Sequence, residues 1–409
     1  MKNKQITIML VTLSFLLLVG FSVQAVAGNT YNLGLSLAIT GPTSDAGNPY
    51  SKGVEDYIKY ANETKILGDD KINCPIKDDQ YQTANAKRNF EEFLDEEIVL
   101  FLSYATGSNQ ALAKDYTEEQ IPVIPASFDK SLISEGTGSE YIFLSIPSYS
   151  HQFVGLGEYV AKHHQGGGTP KVALFINPSA FGRAPVEDLK SALTAGLKLD
   201  VVEVVEHGKD LDNSALLQRL QSKGVQYVIC QTVQSPVATL LKDADRLGIT
   251  AKSFGEKGKI TFMGAHYTGG ADLIALAGPA AEGFYWDTGY RLTSDEGPWV
   301  KWQLDFAKKY GRDDKTANSH NYANGIMAAQ VAVEAIRRAK ESGKAVTRES
   351  ITAALNNMNG DKTYETLTTV GPVSFSKTDR IGVDYLQLYV VKGGVFKSVG
   401  EPFQPEFLK

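Results

Sequence analysis

Cysteine is almost absent from this chain, which has only Cys74 and Cys230 among its 409 residues. Two cysteines cannot form the framework of several disulfides that stabilises small secreted domains. Cys230 belongs to the apolar run that begins at Tyr227, a pattern typical of a small buried side chain in a strand. We therefore expect two separate thiols that lie in different domains.

The motifs of the common enzyme classes are missing too. The sequence contains no G-x-S-x-G, no G-x-x-x-x-G-K-[ST], no G-x-G-x-x-G after a strand and no H-E-x-x-H. The adjacent His163 and His164 would point to different faces of a helix, so they would not share a metal ion. These absences predict a protein that is not an enzyme and that carries no cofactor and no metal.

An excess of positive charge is also lacking. The chain has 41 lysine and arginine residues against 47 aspartate and glutamate residues, which gives a net charge of −6. A mildly acidic protein has no electrostatic reason to seek nucleic acid or anionic lipid. We therefore expect a protein that does not bind nucleic acid.

The first 27 residues have the pattern of a cleavable signal peptide. Lys2 and Lys4 come first, an uncharged apolar run from Ile6 to Val23 follows, and small residues end the segment at Ala25–Ala27. A transmembrane anchor is the alternative, because the run approaches the ~20 residues that a spanning helix needs. No cysteine lies near the cleavage point, so no lipid anchor is expected. The sequence predicts a secreted chain that begins near Gly28.

Predicted strands and helices alternate along the rest of the chain. A buried strand at Leu33–Ile39 precedes a helix at Gly53–Ala61, and the rhythm restarts after Pro147 with strands at Lys171–Ile176 and Val225–Cys230. About 380 residues exceed the size at which single cores stop growing. The pattern predicts an α/β protein of two domains, each with a parallel sheet covered by helices.

Small, hydroxyl and aromatic residues follow several predicted strands, where open parallel sheets bind their ligands. The segment Thr106–Ser108 is the best position for an anionic group, because helix amides and the helix dipole favour negative charge there. The alternative is that these hydroxyls only cap the helix.

Eight short segments, taken in order and spacing, resemble the leucine/isoleucine/valine-binding protein family, the type I periplasmic binding proteins of branched-chain amino-acid uptake systems. The similarity extends over essentially the whole mature chain. The segments are Ile39–Pro42, Asp78–Asp79, Ile121–Ile124, Phe181–Gly182, Asp212–Ser214, Phe262–Gly264, Ala281–Gly283 and Gly371–Val373.

The resemblance implies two Rossmann-like lobes joined by three crossovers, near Pro147, Asp287–Tyr290 and Gly371. A ligand lies between the lobes, which close on it by a hinge motion. The lobe boundaries implied are 28–148 plus 289–370 for lobe 1 and 149–288 plus 371–409 for lobe 2. It also implies a periplasmic monomer that delivers a small molecule, a carboxylate, to an ABC permease in the inner membrane.

In the first lobe, the resemblance assigns ligand contacts to two loops. The carboxylate-binding hydroxyl of the family falls on Thr106, with Tyr104 and Ala105 beside it. The next loop contributes Ser127 and Phe128.

In the second lobe, two ligand-contact positions carry residues that differ from those of the family's amino-acid binders. The stacking aromatic falls on Phe181, where amino-acid binders carry tyrosine, and the loop before the next helix brings Val233 and Gln234 towards the cleft. His266 stands where those binders place the acid that pairs with the ligand's ammonium group, which must be paired when buried.

Two interpretations of His266 remain open. Either the ligand lacks the α-ammonium group, with Tyr267 and Trp286 among its aromatic walls, or the histidine faces solvent or plugs the wall. Asp45 and Asp129 are possible substitutes for the missing acid, so an ordinary amino acid remains a candidate ligand.

We therefore expect the substrate-binding protein of an ABC uptake transporter. The alternative is a sensor module of the same fold that reports to a membrane receptor. A hydrolase on this fold is a third option, for which no nucleophile motif argues.

Overall fold

The computed structural model describes residues 28–207 and 212–408. The predicted signal peptide, residues 1–27, lies outside the described residues. Within the described ranges, no helix is both long enough and apolar enough to cross a membrane.

Helices and strands alternate through most of the described chain. The strands are β1 (Thr30–Leu37), β2 (Lys71–Asn73), β3 (Ile76–Asp78), β4 (Leu100–Ser103), β5 (Val123–Pro125), β6 (Lys171–Ile176), β7 (Asp200–Glu206), β8 (Tyr227–Gln231), β9 (Thr261–Gly264), β10 (Tyr285–Thr288), β11 (Leu386–Lys392) and β12 (Val395–Phe403). The helices are α1 (Ser44–Glu63), α2 (Thr83–Asp95), α3 (Thr106–Glu118), α4 (Tyr149–His163), α5 (Ala180–Arg183), α6 (Val186–Thr194), α7 (Ser214–Ser222), α8 (Gln234–Arg246), α9 (Ala271–Ala277), α10 (Pro298–Lys309), α11 (Asp314–Asn318), α12 (His320–Glu341) and α13 (Arg348–Asn356).

The first sheet is parallel and has the strand order β2-β1-β4-β5, with β3 also paired to β1. Leu33, Leu35 and Leu37 of β1 are fully buried, as expected for a central strand covered by helices. We call this sheet, with α1–α3 and α10–α13, the first unit. Because its strands are parallel, β1, β4 and β5 end at the same edge of the sheet.

The second sheet has seven strands in the order β12-β11-β10-β9-β8-β6-β7. We call it, with α4–α9, the second unit. Its strands are parallel from β7 to β10, which confirms the predicted α/β class, but β11 and β12 are antiparallel. The alternation pattern misses this pair, which is a hairpin closed by Gly393 and Gly394 at positive φ of 64° and 76°.

The chain passes between the two units three times. Ile146 and Tyr290 pack in the hydrophobic cluster of the first unit, whereas Phe153 and Trp286 pack in clusters of the second. The third passage is predicted near Gly371 but lies later in the structure. Val373, Phe375 and Val383 still pack in the first cluster, and bridges Tyr364 to Val373 and Leu144 to Ile381 hold this segment there until β11 begins.

The two cysteines lie in different units, as predicted. Cys74 is half-buried between β2 and β3, and Cys230 is fully buried in β8. Both are free thiols, and burial raises the pKa of the Cys74 thiol to about 12.

Candidate functional site

A cavity lies between the two units, at the carboxyl ends of their parallel strands. The free volume within it is small, about 20 Å³, which is room for about one water molecule. The lining residues are Thr43, Tyr81, Tyr104, Ala105, Thr106, Ala126, Tyr149, Phe181, Val233 and Tyr267.

The first unit contributes a helix N-terminus and the Thr106 hydroxyl to the cavity wall, and Ser127 supports that hydroxyl from behind without lining the cavity. Thr106 is the first residue of the 13-residue helix α3, and the residue before it, Ala105, has no side chain that caps the helix. The first amides of a helix lack partners within it. Thr106 Oγ1 and Ser127 Oγ share a hydrogen bond of 2.8 Å, and both residues are buried. Hydroxyl donors beside uncapped helix amides suit a carboxylate.

The aromatic residue that follows, Phe128, supports the wall and does not line the cavity. It is fully buried. Its ring stacks on that of Tyr267 at 6.1 Å with an interplanar angle of 10°, and meets the ring of Tyr149 edge-on at 5.7 Å. Phe128 therefore fixes two rings that do face the cavity.

The second unit contributes Tyr149, Phe181, Val233 and Tyr267 to the wall. Tyr149 begins α4, Phe181 lies in the short helix α5, and Val233 and Tyr267 follow β8 and β9, yet all four pack in the hydrophobic cluster of the first unit. Phe181 meets the rings of Tyr149 and Tyr267 edge-on, at 5.2 Å and 5.8 Å. These side chains bridge the two units and enclose the cavity with apolar surface.

Gln234, which the resemblance brings towards the cleft, does not line the cavity. It is fully buried, and its Nε2 donates to the carbonyl of Gly269 at 3.4 Å. Val233, its neighbour, lines the cavity instead.

His266 lies behind the wall. Its amide donates to Gln152 Oε1 at 3.0 Å, and its Nδ1 shares a hydrogen bond of 2.8 Å with Thr288 Oγ1. The ring is fully buried and meets that of His320 at 5.0 Å. Burial, and then the charge that His320 would carry, hold the pKa of His266 well below its ordinary value, so the imidazole is neutral.

The two candidate substitutes for the missing acid also stand outside the cavity. Asp45 is half-buried in the first turn of α1, where its Oδ2 accepts a hydrogen bond of 2.9 Å from Ser235 of the second unit. Burial raises the pKa of Asp45, and the hydrogen bond from Ser235 opposes that rise. Asp129 is buried and accepts from Gln110 Nε2 at 2.8 Å and from Ser131 Oγ at 2.6 Å.

Four lining residues escape the sequence-based assignment: Thr43, Tyr81, Ala126 and Tyr149. Thr43 and Ala126 lie in loops that the strand pattern marks as ligand loops. Tyr81 has a positive φ of 61° in the turn after β3, and its amide donates to Asp79 Oδ1 at 2.8 Å. The Asp-Asp-Gln-Tyr turn at 78–81, directly after a predicted strand, is the sequence feature that could have identified Tyr81 as a site residue.

Among the residues that the structure describes, no charged side chain lines the cavity. Five of its ten lining residues are aromatic, namely Tyr81, Tyr104, Tyr149, Phe181 and Tyr267. Burial raises the pKa of Tyr81 to about 12 and holds the pKa values of Tyr104 and Tyr267 well above the ordinary value, so all three phenols are neutral. The cavity offers hydroxyl and amide donors to an anion and aromatic faces to an apolar body. Across residues 28–207 and 212–408, no three His, Cys, Asp or Glu side chains are grouped as metal ligands.

Comparison with known proteins gives consistent matches. Residues 30–395 match the family model described as periplasmic binding protein. A branched-chain amino-acid ABC transporter protein from Thermus thermophilus, solved with bound valine, is 46% identical with a TM-score of 0.88, over 93% of this chain and 98% of that one.

More distant proteins match as well. The leucine-, isoleucine-, valine-, threonine- and alanine-binding protein of Pseudomonas aeruginosa is 23% identical over 267 residues, which are 64% of this chain and 68% of that protein. A solute-binding protein of an ABC transporter from R. palustris, in complex with 4-hydroxybenzoate, has a TM-score of 0.75 at 20% identity, over 92% of this chain and 98% of that one. This last likeness shows the fold.

Proposed function

This chain belongs to the periplasmic binding protein family, and we propose that it captures a small carboxylate with an apolar body for an ABC uptake transporter of the branched-chain amino-acid type. One observation carries the proposal: the cavity between the two units joins uncapped helix amides and the Thr106 hydroxyl, which is hydrogen-bonded to Ser127 behind it, to aromatic side chains. The family consists of solute-binding proteins, which are not enzymes.

The two units are the proposed lobes. We place the crossovers at Pro147, between Asp287 and Tyr290, and shortly before Leu386. The last boundary is later than the Gly371 expected from the resemblance, because residues 373–383 pack with the first unit. The proposed lobes close by a hinge at these three segments and enclose the ligand, as in binding proteins of this architecture.

The absence of an acidic side chain from the cavity wall favours a ligand without an α-ammonium group, such as a 2-oxo acid or an aromatic acid. An amino acid is the second candidate. The valine bound to the Thermus protein supports it, and the faces of the cavity's aromatic rings attract a cation.

A matched set of ligands tests the proposal by isothermal titration calorimetry. Valine and 3-methyl-2-oxobutanoate share one carbon skeleton and differ in the ammonium group, and 4-hydroxybenzoate adds an aromatic body. We expect binding of at least one acid, with the 2-oxo acid tighter than valine. Tighter binding of valine would move the ligand class to amino acids, and no binding of any of the three acids would contradict carboxylate capture.

Location and partners follow from the same proposal. We propose export by the predicted signal peptide, residues 1–27, and a monomeric periplasmic protein that hands its ligand to the permease of its transporter. The named relatives favour this role over the sensor alternative, since the structural neighbours cited above are transporter proteins.

A further inference from the structure

Tyr267 connects the two units through its hydroxyl. Its backbone belongs to the short turn His266–Thr268 after β9, in the second unit, but its side chain packs in the first cluster. The hydroxyl donates to the carbonyl of Ala126 and accepts from Nδ2 of Asn324 at 3.1 Å. Both of these partners belong to the first unit, and all three residues are buried.

The amide of Asn324 is held in one orientation. Its Oδ1 accepts a hydrogen bond of 2.7 Å from the hydroxyl of Tyr290, and its Nδ2 donates to Tyr267. Tyr290 is fully buried and follows the second crossover. Asn324 therefore presents a fixed donor to the hydroxyl that arrives from the other unit.

The ring of Tyr267 serves the cavity at the same time. It lies against Phe128 and meets Phe181 edge-on at 5.8 Å, and it lines the cavity. One side chain thus forms part of the ligand wall and carries the hydrogen bonds that join the units. Asn324 does not line the cavity.

We propose that the hydroxyl of Tyr267 fastens the closed form, and that Asn324 is a positioning residue that sets ligand affinity without touching the ligand. The inference rests on the proposed function, since it assumes that the two units close on a ligand. When the units separate, the Ala126 carbonyl and the Asn324 amide gain water as a partner. Loss of the Tyr267 hydroxyl therefore leaves them unpaired in the closed form alone.

The substitution Tyr267→Phe removes the hydroxyl and keeps the ring. Leaving two buried polar groups unpaired in the closed form should weaken ligand binding about tenfold to a hundredfold, mostly through faster dissociation. Asn324→Ala should act in the same direction. Because the two residues share one hydrogen bond, the double variant should lose affinity by a smaller factor than the product of the two single-variant factors.

Tyr322→Phe is the matched control. Tyr322 is a fully buried tyrosine on α12, the helix that also carries Asn324. Its hydroxyl donates to Asp56 Oδ2 at 2.7 Å within the first unit. This variant should lower the melting temperature and leave the ligand dissociation rate as in wild type.

The experiment is stopped-flow or surface plasmon resonance kinetics of all four variants and wild type. The probe is valine or 3-methyl-2-oxobutanoate, whichever wild type binds more tightly. Faster dissociation from Tyr267→Phe and Asn324→Ala, but not from Tyr322→Phe, supports the inference. A wild-type dissociation rate in Tyr267→Phe would overturn the inference about the Tyr267 hydroxyl but would leave the proposal of carboxylate capture intact. No binding by wild type overturns both proposals.

Discussion

The two walls of the cavity are built from different chemistry. The first unit presents uncapped helix amides and the Thr106 hydroxyl, together with the rings of Tyr81 and Tyr104. The second unit presents three rings and one aliphatic side chain, which pack in the hydrophobic cluster of the first unit, namely Tyr149, Phe181, Tyr267 and Val233. The helix amides stand on one side of the ligand space only, and three of the five aromatic rings come from the other side.

This difference separates two tasks that one binding site must perform. The donors of the first unit belong to the start of α3 and to the loop after β5, so they are in place whether or not the units are closed. The ring of Tyr267 gains its contacts with Phe128 and Ala126 only when it reaches the first unit. We infer that the first wall determines the charge class of the ligand, and that the second wall determines its size and the lifetime of the complex.

The largest expected effect is on the polar wall. Thr106→Val replaces the hydroxyl by a methyl group of similar shape. Loss of a hydrogen bond to a charged carboxylate should weaken binding by about 1.5–3 kcal/mol, measured as Kd by calorimetry. Thr117→Val is the control, because the Thr117 hydroxyl lies on the same helix and bonds to Ala113 and Ser139, away from the cavity. Equal affinities for wild type and Thr106→Val would remove Thr106 from the carboxylate site.

A smaller effect is expected on the apolar wall. Phe181→Leu keeps the surface apolar but shortens it, so it should change affinity by about 1–3 kcal/mol, with the sign set by ligand size. Small acids should bind more weakly, and acids with a larger body should gain relative to them. Titration of wild type and variant with 3-methyl-2-oxobutanoate and with 4-hydroxybenzoate gives the ratio of the two affinities for each protein.

Phe254→Leu serves as the control for that substitution, since Phe254 packs against Tyr159 and Tyr227 in the second unit and does not line the cavity. An unchanged ratio in Phe181→Leu would argue against the division of tasks between the walls.

The positions of the walls along the chain follow from the sequence, but the direction of individual side chains does not. Thr106 and Phe181, both marked by the resemblance, lie in the cavity wall. Strand periodicity places their loops at the carboxyl edge of a parallel sheet, and that rule requires no tertiary detail.

His266 and Tyr267 illustrate the limit. The two are adjacent in a short turn, and rotation of that turn by one residue would exchange their directions. The structure turns His266 towards Thr288 and His320, and Tyr267 towards Ala126 and the cavity. Contacts with β10, α12 and the loop after β5 select this orientation, and none of them is local in sequence. Tyr81 and Tyr149 escape assignment for a similar reason, since they belong to different units and line one cavity only when the units are assembled.

The central claim is that the first wall holds a carboxylate while the aromatic wall covers the rest of the ligand. A crystal structure with the most tightly bound of the three test acids examines it most directly. We predict a carboxylate oxygen about 2.5–2.9 Å from Thr106 Oγ1 or an amide at the start of α3, and the ligand body between Phe181 and Tyr267. A ligand whose carboxylate points away from α3, or that lies outside the space between the units, would contradict the account.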